Sequence, residues 1–150
     1  MSDRTLRVAI CVLAAAGAAI AGYLLYERWT GGPLVCATGG CETVQNSRYS
    51  KIAGVPVALL GLLAYTGIFV TGLLRTELAR AIGAALAVSG LAFALYLVYV
   101  QNSKIHAWCQ WCLASDAILA VLAVLTVVRL LREPEPVAVA APAVAAPRRR

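Results

Sequence analysis

Apolar residues gather along this chain into four long blocks, at residues 8–26, about 55–74, 81–101 and about 109–131. The first block holds no charged residue, and the fourth carries Asp116 near its start and Arg129 near its end. Each block is close to the roughly 20 residues a helix needs to cross a bilayer core. Pro56 stands where the second block opens, a helix position at which its missing N–H costs nothing. Glycines such as Gly17, Gly61, Gly67, Gly72, Gly83 and Gly90 are scattered over the first three blocks, where small residues let membrane helices approach closely. The pattern predicts an all-α membrane protein, a bundle of four transmembrane helices. A cleaved signal peptide is the rival reading of the first block. Its apolar run is longer than the roughly 7–15 residues of a signal core, and Gly22 to Tyr26 continue it. Residues 133–150 are rich in Pro, Ala and Val and end in three arginines, which reads as a disordered cytoplasmic tail able to touch anionic lipid. The chain thus divides into a membrane domain, 1–132, and a tail, 133–150.

Composition supports lipid as the solvent. Hydrophobic residues make up 61% of the 150 and charged residues 13%, against about a quarter charged in ordinary globular domains. A soluble domain of this size could not hide so much apolar surface. The net charge of +6 matters less than its placement. Arg4, Arg7, Arg75, Arg80, Arg129, Arg132 and Arg148 to Arg150 fall on one side of the four blocks, and Arg28, Arg48, Lys51 and Lys104 on the other. Nine basic residues against four put both termini in the cytoplasm of a cell membrane. No basic stripe on a soluble surface suggests nucleic-acid binding.

Five cysteines change the picture further. Cys36 and Cys41 lie in the loop after the first block, and Cys109 and Cys112 open the fourth, so the topology places both pairs on the outer face, where disulfides persist. Cys11, inside the first block, reads as a small buried apolar side chain. The sequence Trp108-Cys109-Gln110-Trp111-Cys112 sets two sulfurs two residues apart at a helix start. They can close a disulfide there, and unpaired backbone N–H groups stabilise the thiolate of the first. Gly31, Gly32, Pro33, Gly39 and Gly40 make the loop around the other pair mobile and sharply turned. An extended chain covers about 3.3 Å per residue. That reach lets Cys41 cross the roughly 8–10 Å between neighbouring helix axes and meet Cys109. Thiol–disulfide exchange between the pairs is then possible. Two other readings stay open: a pair of structural disulfides in a non-enzymatic membrane scaffold, and a four-cysteine zinc site.

A loop cysteine pair, then the segment 46–61 (NSRYSKIAGVPVALLG), then a CxxC opening the last span, resembles the bacterial vitamin K epoxide reductase homologues over roughly residues 6–131. The resemblance implies a four-helix bundle around a quinone of the menaquinone, ubiquinone or phylloquinone type, with an outer-face lid carrying shuttle cysteines. It implies that Cys36 meets an external protein, that Cys41 attacks Cys109, and that Cys112 lies nearest the quinone. Ser47 matches a serine the family places near the redox centre, and Ser50 suits a similar role. Both also read as caps of a short interfacial helix at residues 47–53. Trp108 and Trp111 border the site as interface anchors or as rings stacked on the quinone. Tyr96, like Tyr65 and Tyr99, offers a hydroxyl to a quinone carbonyl.

Two features depart from the family pattern. Many bacterial relatives continue into a fused thioredoxin-like domain, and the sequence here runs into the Pro/Ala tail instead. The expected partner is then a separate thioredoxin-like protein of the DsbA type. Asp116 stands where a small residue is expected. At about 100° per residue it shares a helix face with Cys109 and Cys112. An acid within a span is a functional candidate by default, set against a helix-start acid pairing with the dipole or Lys104. The reading as a whole is a quinone-dependent, disulfide-generating membrane oxidoreductase.

Overall fold

The computed structural model describes residues 2–132, and the expected tail at 133–150 lies outside the described residues. Four long helices dominate: α1 (Asp3–Thr30), α3 (Val57–Leu73), α4 (Glu77–Val100) and α5 (Gln110–Leu131). Each contains or closely tracks one apolar block of the sequence. α1, α5 and the helical stretch Glu77–Ile105 are long and apolar enough to cross a membrane, while α3 is shorter, at 17 residues.

Local chemistry fixes the helix ends. The Ser2 hydroxyl accepts the Thr5 N–H at the start of α1, and Gly31, at φ 67°, closes its other end by donating to the Glu27 carbonyl. Thr76 caps α4 by accepting the Ala79 N–H. α4 then widens into a π turn, Gln101–Ile105, which His106 ends at φ 54°.

The helices pack as a ring in which α1 touches α3 and α5, and α4 touches α3 and α5. Ile10, Ala14, Tyr65, Ile68, Ala87 and Leu122 are among the residues filling its centre. Leu63, Val88, Leu95 and Val124 project outward instead. An apolar exterior of this kind suits lipid, and small residues bring the helices together inside it. Gly17 is the sharpest case, because the Tyr65 ring occupies the place where a Cβ on Gly17 would stand.

One end of the ring is held by arginines. Arg129, buried, donates to the carbonyls of Thr71 and Leu74, and Arg7 donates to those of Gly72 and Leu73. These are carbonyls at the end of α3 that have no partner within the helix. Arg80 donates to the Arg132 carbonyl beyond α5, and Asp3 lies 3.7 Å from Arg129 and 4.0 Å from Arg80.

The opposite end carries the segment between α1 and α3. The helix expected at residues 47–53 is not there. The short helix comes earlier, as α2 (Cys41–Asn46), followed by a 3-10 turn at Arg48–Ser50 and a tight hairpin of β1 (Lys51–Ile52) and β2 (Val55–Pro56). The reason is local. Ser47 is extended, which ends α2, and Ala53 and Gly54 both have positive φ, the geometry of a two-residue hairpin turn. Ser47 and Ser50 accordingly do not act as the caps of that expected helix.

Candidate redox site

The α5 pair sits where the helix begins. Cys109 is the N-cap, so its sulfur accepts the N–H of Cys112 at 3.3 Å, while its own N–H donates to Gln101 Oε1 at 2.9 Å. Both contacts use backbone groups that a helix start leaves open. Cys109 is fully buried and Cys112 half-buried, and both are free thiols. One turn into the helix, Cys112 receives a long contact of 3.8 Å from Gln45 Nε2 of α2.

The loop pair is a disulfide, Cys36–Cys41. Cys41 opens α2 and is fully buried, while Cys36 is half-buried in the loop. Gly40 packs directly on the backbone of Trp108, so the residues just before Cys41 and just before Cys109 touch. Cys41, Cys109 and Cys112 thus form one close cluster.

A cavity of about 300 Å³ opens beneath this cluster. Its walls come from α1, α3, α4, α5 and the connecting segment, and they are largely apolar: Leu24, Val57, Gly61, Phe93 and Leu97 among others. The polar groups on the wall include Gln45, Ser47, Ser50, Tyr65, Gln101 and Asp116. Cys112 lines this cavity and Cys109 does not. Of the two sulfurs of the CxxC, Cys112 therefore reaches the cavity, while Cys109 is enclosed in the cluster.

Most hydroxyls on the wall are engaged. Ser47 donates to the Val44 carbonyl, and Ser50 donates to the Ser47 carbonyl while receiving Arg28 Nη1 at 3.2 Å. The Tyr65 hydroxyl meets the Ser115 carbonyl and hydroxyl, each at 2.8 Å. Asp116 differs: its Oδ2 is enclosed and has no hydrogen-bond partner among the described residues. The ion pairs among those residues gather at the arginine end of the bundle, and Lys104 is exposed.

Cys112, Ser47, Ser50 and Asp116 therefore come together around one space. Trp108, Trp111 and Tyr96, expected as quinone contacts, lie outside it. Trp108 is exposed and offers its carbonyl to the Thr38 hydroxyl at 2.7 Å. The Trp111 indole donates to the Val35 carbonyl at 2.7 Å, and its ring meets Tyr23 edge-on. Tyr96 points outward, half exposed, with its ring near Phe93. For Trp111 helix phase explains this, because α5 turns Cys112 and Asp116 inward and so directs Trp111 toward the loop. Gln45 and Gln101 were not foreseen. Gln101 had a weak signal, an amide closing an apolar block. Gln45 had none, since nothing in the loop sequence says which of its polar residues turns inward. The model of the vitamin K epoxide reductase family matches residues 8–127.

Proposed function

This chain belongs to the vitamin K epoxide reductase family, which makes it a membrane thiol oxidoreductase, and we propose that it draws electrons from an external protein dithiol and delivers them to a membrane quinone. The observation that carries the proposal is that Cys41, Cys109 and Cys112 form one close cluster and that Cys112 also lies on the cavity wall.

In the proposed sequence, a thiolate of a reduced thioredoxin-like protein attacks Cys36 and breaks the Cys36–Cys41 bond. Its second thiol then closes the partner's own disulfide and leaves Cys36 and Cys41 reduced. The Cys41 thiolate next attacks Cys109, breaking Cys109–Cys112 and freeing the Cys112 thiol. Cys36 resolves the mixed disulfide by attacking Cys41, which restores Cys36–Cys41 and frees Cys109. Bound in the cavity, a quinone supplies the terminal acceptor for two electrons and two protons. Closing the Cys109–Cys112 disulfide would release the two electrons and two protons that such a group takes up.

The cavity fits such a group. Its volume is at the lower end of the roughly 300–1,000 Å³ of small-molecule sites, and its wall is largely apolar with a few polar groups. Ser47 and Ser50 bound its rim beside Gln45, and Asp116 is placed to hold a proton at the unpartnered Oδ2 near Cys112. The segment from Gly31 to Pro56 acts as the lid.

We also propose that all four long helices span the membrane. α3 covers roughly 26 Å at about 1.5 Å per residue, a little short of a bilayer core of about 30 Å. The arginine-rich end then faces the cytoplasm, with both termini, and the cysteine end faces outward, where the products are disulfides of exported proteins.

Purified protein given a quinone and a reduced thioredoxin-like protein tests this. Quinol should form one-for-one with substrate disulfide. Cys109→Ser and Cys112→Ser should abolish it, and Cys36→Ser should abolish it for the protein substrate. Unchanged turnover in Cys112→Ser would defeat the reading, and absence of turnover in the parent protein would favour a scaffold stapled by disulfides.

A further inference from the structure

The two residues between the α5 sulfurs, Gln110 and Trp111, are absent from the cavity wall. They reach the other way, to the lid. Gln110 Oε1 accepts the Ala37 N–H at 2.9 Å, and Gln110 Nε2 donates to the Val35 carbonyl at 3.5 Å. Trp111 Nε1 donates to the same carbonyl at 2.7 Å. The contacts therefore grip the backbone on both sides of Cys36. Tyr23 completes the arrangement, as its hydroxyl accepts the Val35 N–H at 3.3 Å and its ring packs edge-on against Trp111.

We infer that Gln110 and Trp111 are positioning residues for the sulfur hand-off: they hold the lid by its backbone so that Cys41 is seated against Cys109. The inference rests on the hand-off proposed above. Its physical basis is that these bonds tie the backbone on both sides of Cys36 to α5, beside the Thr38–Trp108 hydrogen bond and the Cys36–Cys41 disulfide. Gly31 and Gly39 have positive φ, the neighbouring side chain of Val35 is exposed, and no regular element covers residues 32–39. A segment this loosely tethered spends its time over many positions unless specific contacts select one. Selecting one raises the effective concentration of one sulfur at the other. Because the bonds go to main-chain groups, they depend on where the lid lies and not on its side chains.

The same contacts set a second condition. With Val35 and Ala37 held, Cys36 is half-buried, and it must be approachable to meet an external thiolate. Releasing the grip should therefore slow transfer from Cys41 to Cys109 without slowing attack on Cys36. A merely structural role would depress both steps together.

The test uses the full chain in membranes with Cys36→Ser and Cys112→Ser, which leaves Cys41 and Cys109 as the remaining sulfurs of the two pairs. Under a mild oxidant they should cross-link rapidly, as read by mass spectrometry of the thiol-blocked protein. Adding Trp111→Phe, which keeps an aromatic ring and deletes the donor, together with Gln110→Met, should slow cross-linking tenfold or more. Gln110→Met alone, at a half-buried surface position, should give a smaller loss in the same direction. In the chain with all its cysteines, the pair of changes should leave the rate of Cys36–Cys41 reduction by an external dithiol protein equal or higher. Equal cross-linking rates with and without Gln110 and Trp111 would overturn the inference, as would parallel loss of both steps. No cross-link even with Gln110 and Trp111 intact would overturn the hand-off itself.

Discussion

Replacing Gly40 with alanine should uncouple the two cysteine pairs without touching a sulfur. Gly40 has φ −100° and ψ −3°, a negative-φ conformation open to alanine, so left-handed strain does not enter. The obstacle is contact. A Cβ at position 40 would stand 2.6 Å from the Trp108 carbonyl oxygen and 2.8 Å from the Trp108 nitrogen. Both are backbone atoms at the mouth of α5 and cannot swing aside as a flexible side chain would. Restoring a separation of about 3.4 Å, near ordinary van der Waals contact, requires the lid to retreat by about 0.8 Å. Cys41 is the next residue and moves with it. A misplacement near 1 Å costs up to about 10²-fold in a step that depends on close approach, equivalent to about 2.7 kcal/mol of barrier. Rapid mixing of oxidised, quinone-free protein with a reduced dithiol protein, followed by acid quench and thiol blocking, separates the steps. Appearance of the Cys109 and Cys112 thiols should slow between about 10- and 100-fold, while opening of Cys36–Cys41 keeps its rate. Gly39→Ala is the useful contrast. Gly39 sits at φ 71°, and a Cβ there would meet nothing within 4 Å, so its cost is backbone strain and not collision. If Gly40→Ala transfers electrons between the pairs as fast as the parent, the seating of Cys41 against Cys109 is not what sets the rate, and the argument from contact fails.

Asp116→Asn should lower quinol formation at least tenfold while changing unfolding in detergent by less than about 1 kcal/mol, because the wall atom it alters has no hydrogen-bond partner among the described residues to lose. Full turnover in that variant would remove Asp116 from the reaction. Arg129→Met should destabilise the bundle by about 2–5 kcal/mol, since it strips the donors from the Thr71 and Leu74 carbonyls and the nearest cation from Asp3. Denaturant titration in micelles measures this, and a loss under about 1 kcal/mol would show that water or lipid replaces the guanidinium. Gly17→Ala should push the Tyr65 ring off Ser115 and into the cavity, costing about 1–3 kcal/mol and raising the KM for quinone more than it lowers kcat. An unchanged KM would mean that the Tyr65 side of the cavity does not bear on binding.

The amino-acid sequence by itself was enough for the large features. Apolar blocks of membrane length became α1, α3, α4 and α5, because so long and nearly uncharged a run has few other uses. The arginines at the ends of those blocks were read for membrane orientation alone; that Arg7 and Arg129 hold the carbonyls at the end of α3 came from the structure. The spacing of Cys109 and Cys112 foretold a sulfur at a helix start, and the order of the motifs foretold the family.

The sequence could not say which way each helix faces. In a soluble helix the polar stripe marks the outside, but here both faces of a span are apolar and the pattern carries no phase. So Trp108 and Trp111, expected beside the site as anchors or stacked rings, and Tyr96, expected to offer a hydroxyl to the quinone, are absent from the cavity wall through packing alone. The lid was unreadable for a different reason. Glycines and short polar side chains permit many paths, and the helix at Cys41–Asn46 formed before the position expected because Ser47 is extended and the Ala53–Gly54 hairpin takes up the rest. What only the tertiary structure decided is that Cys41 joins both sulfurs of the CxxC in one cluster, and that Cys112 lines the cavity while Cys109 does not. That division depends on Gln101, Gln45 and Gly40 meeting α5 from other segments, and contacts between distant segments are not written in the local sequence of any one of them.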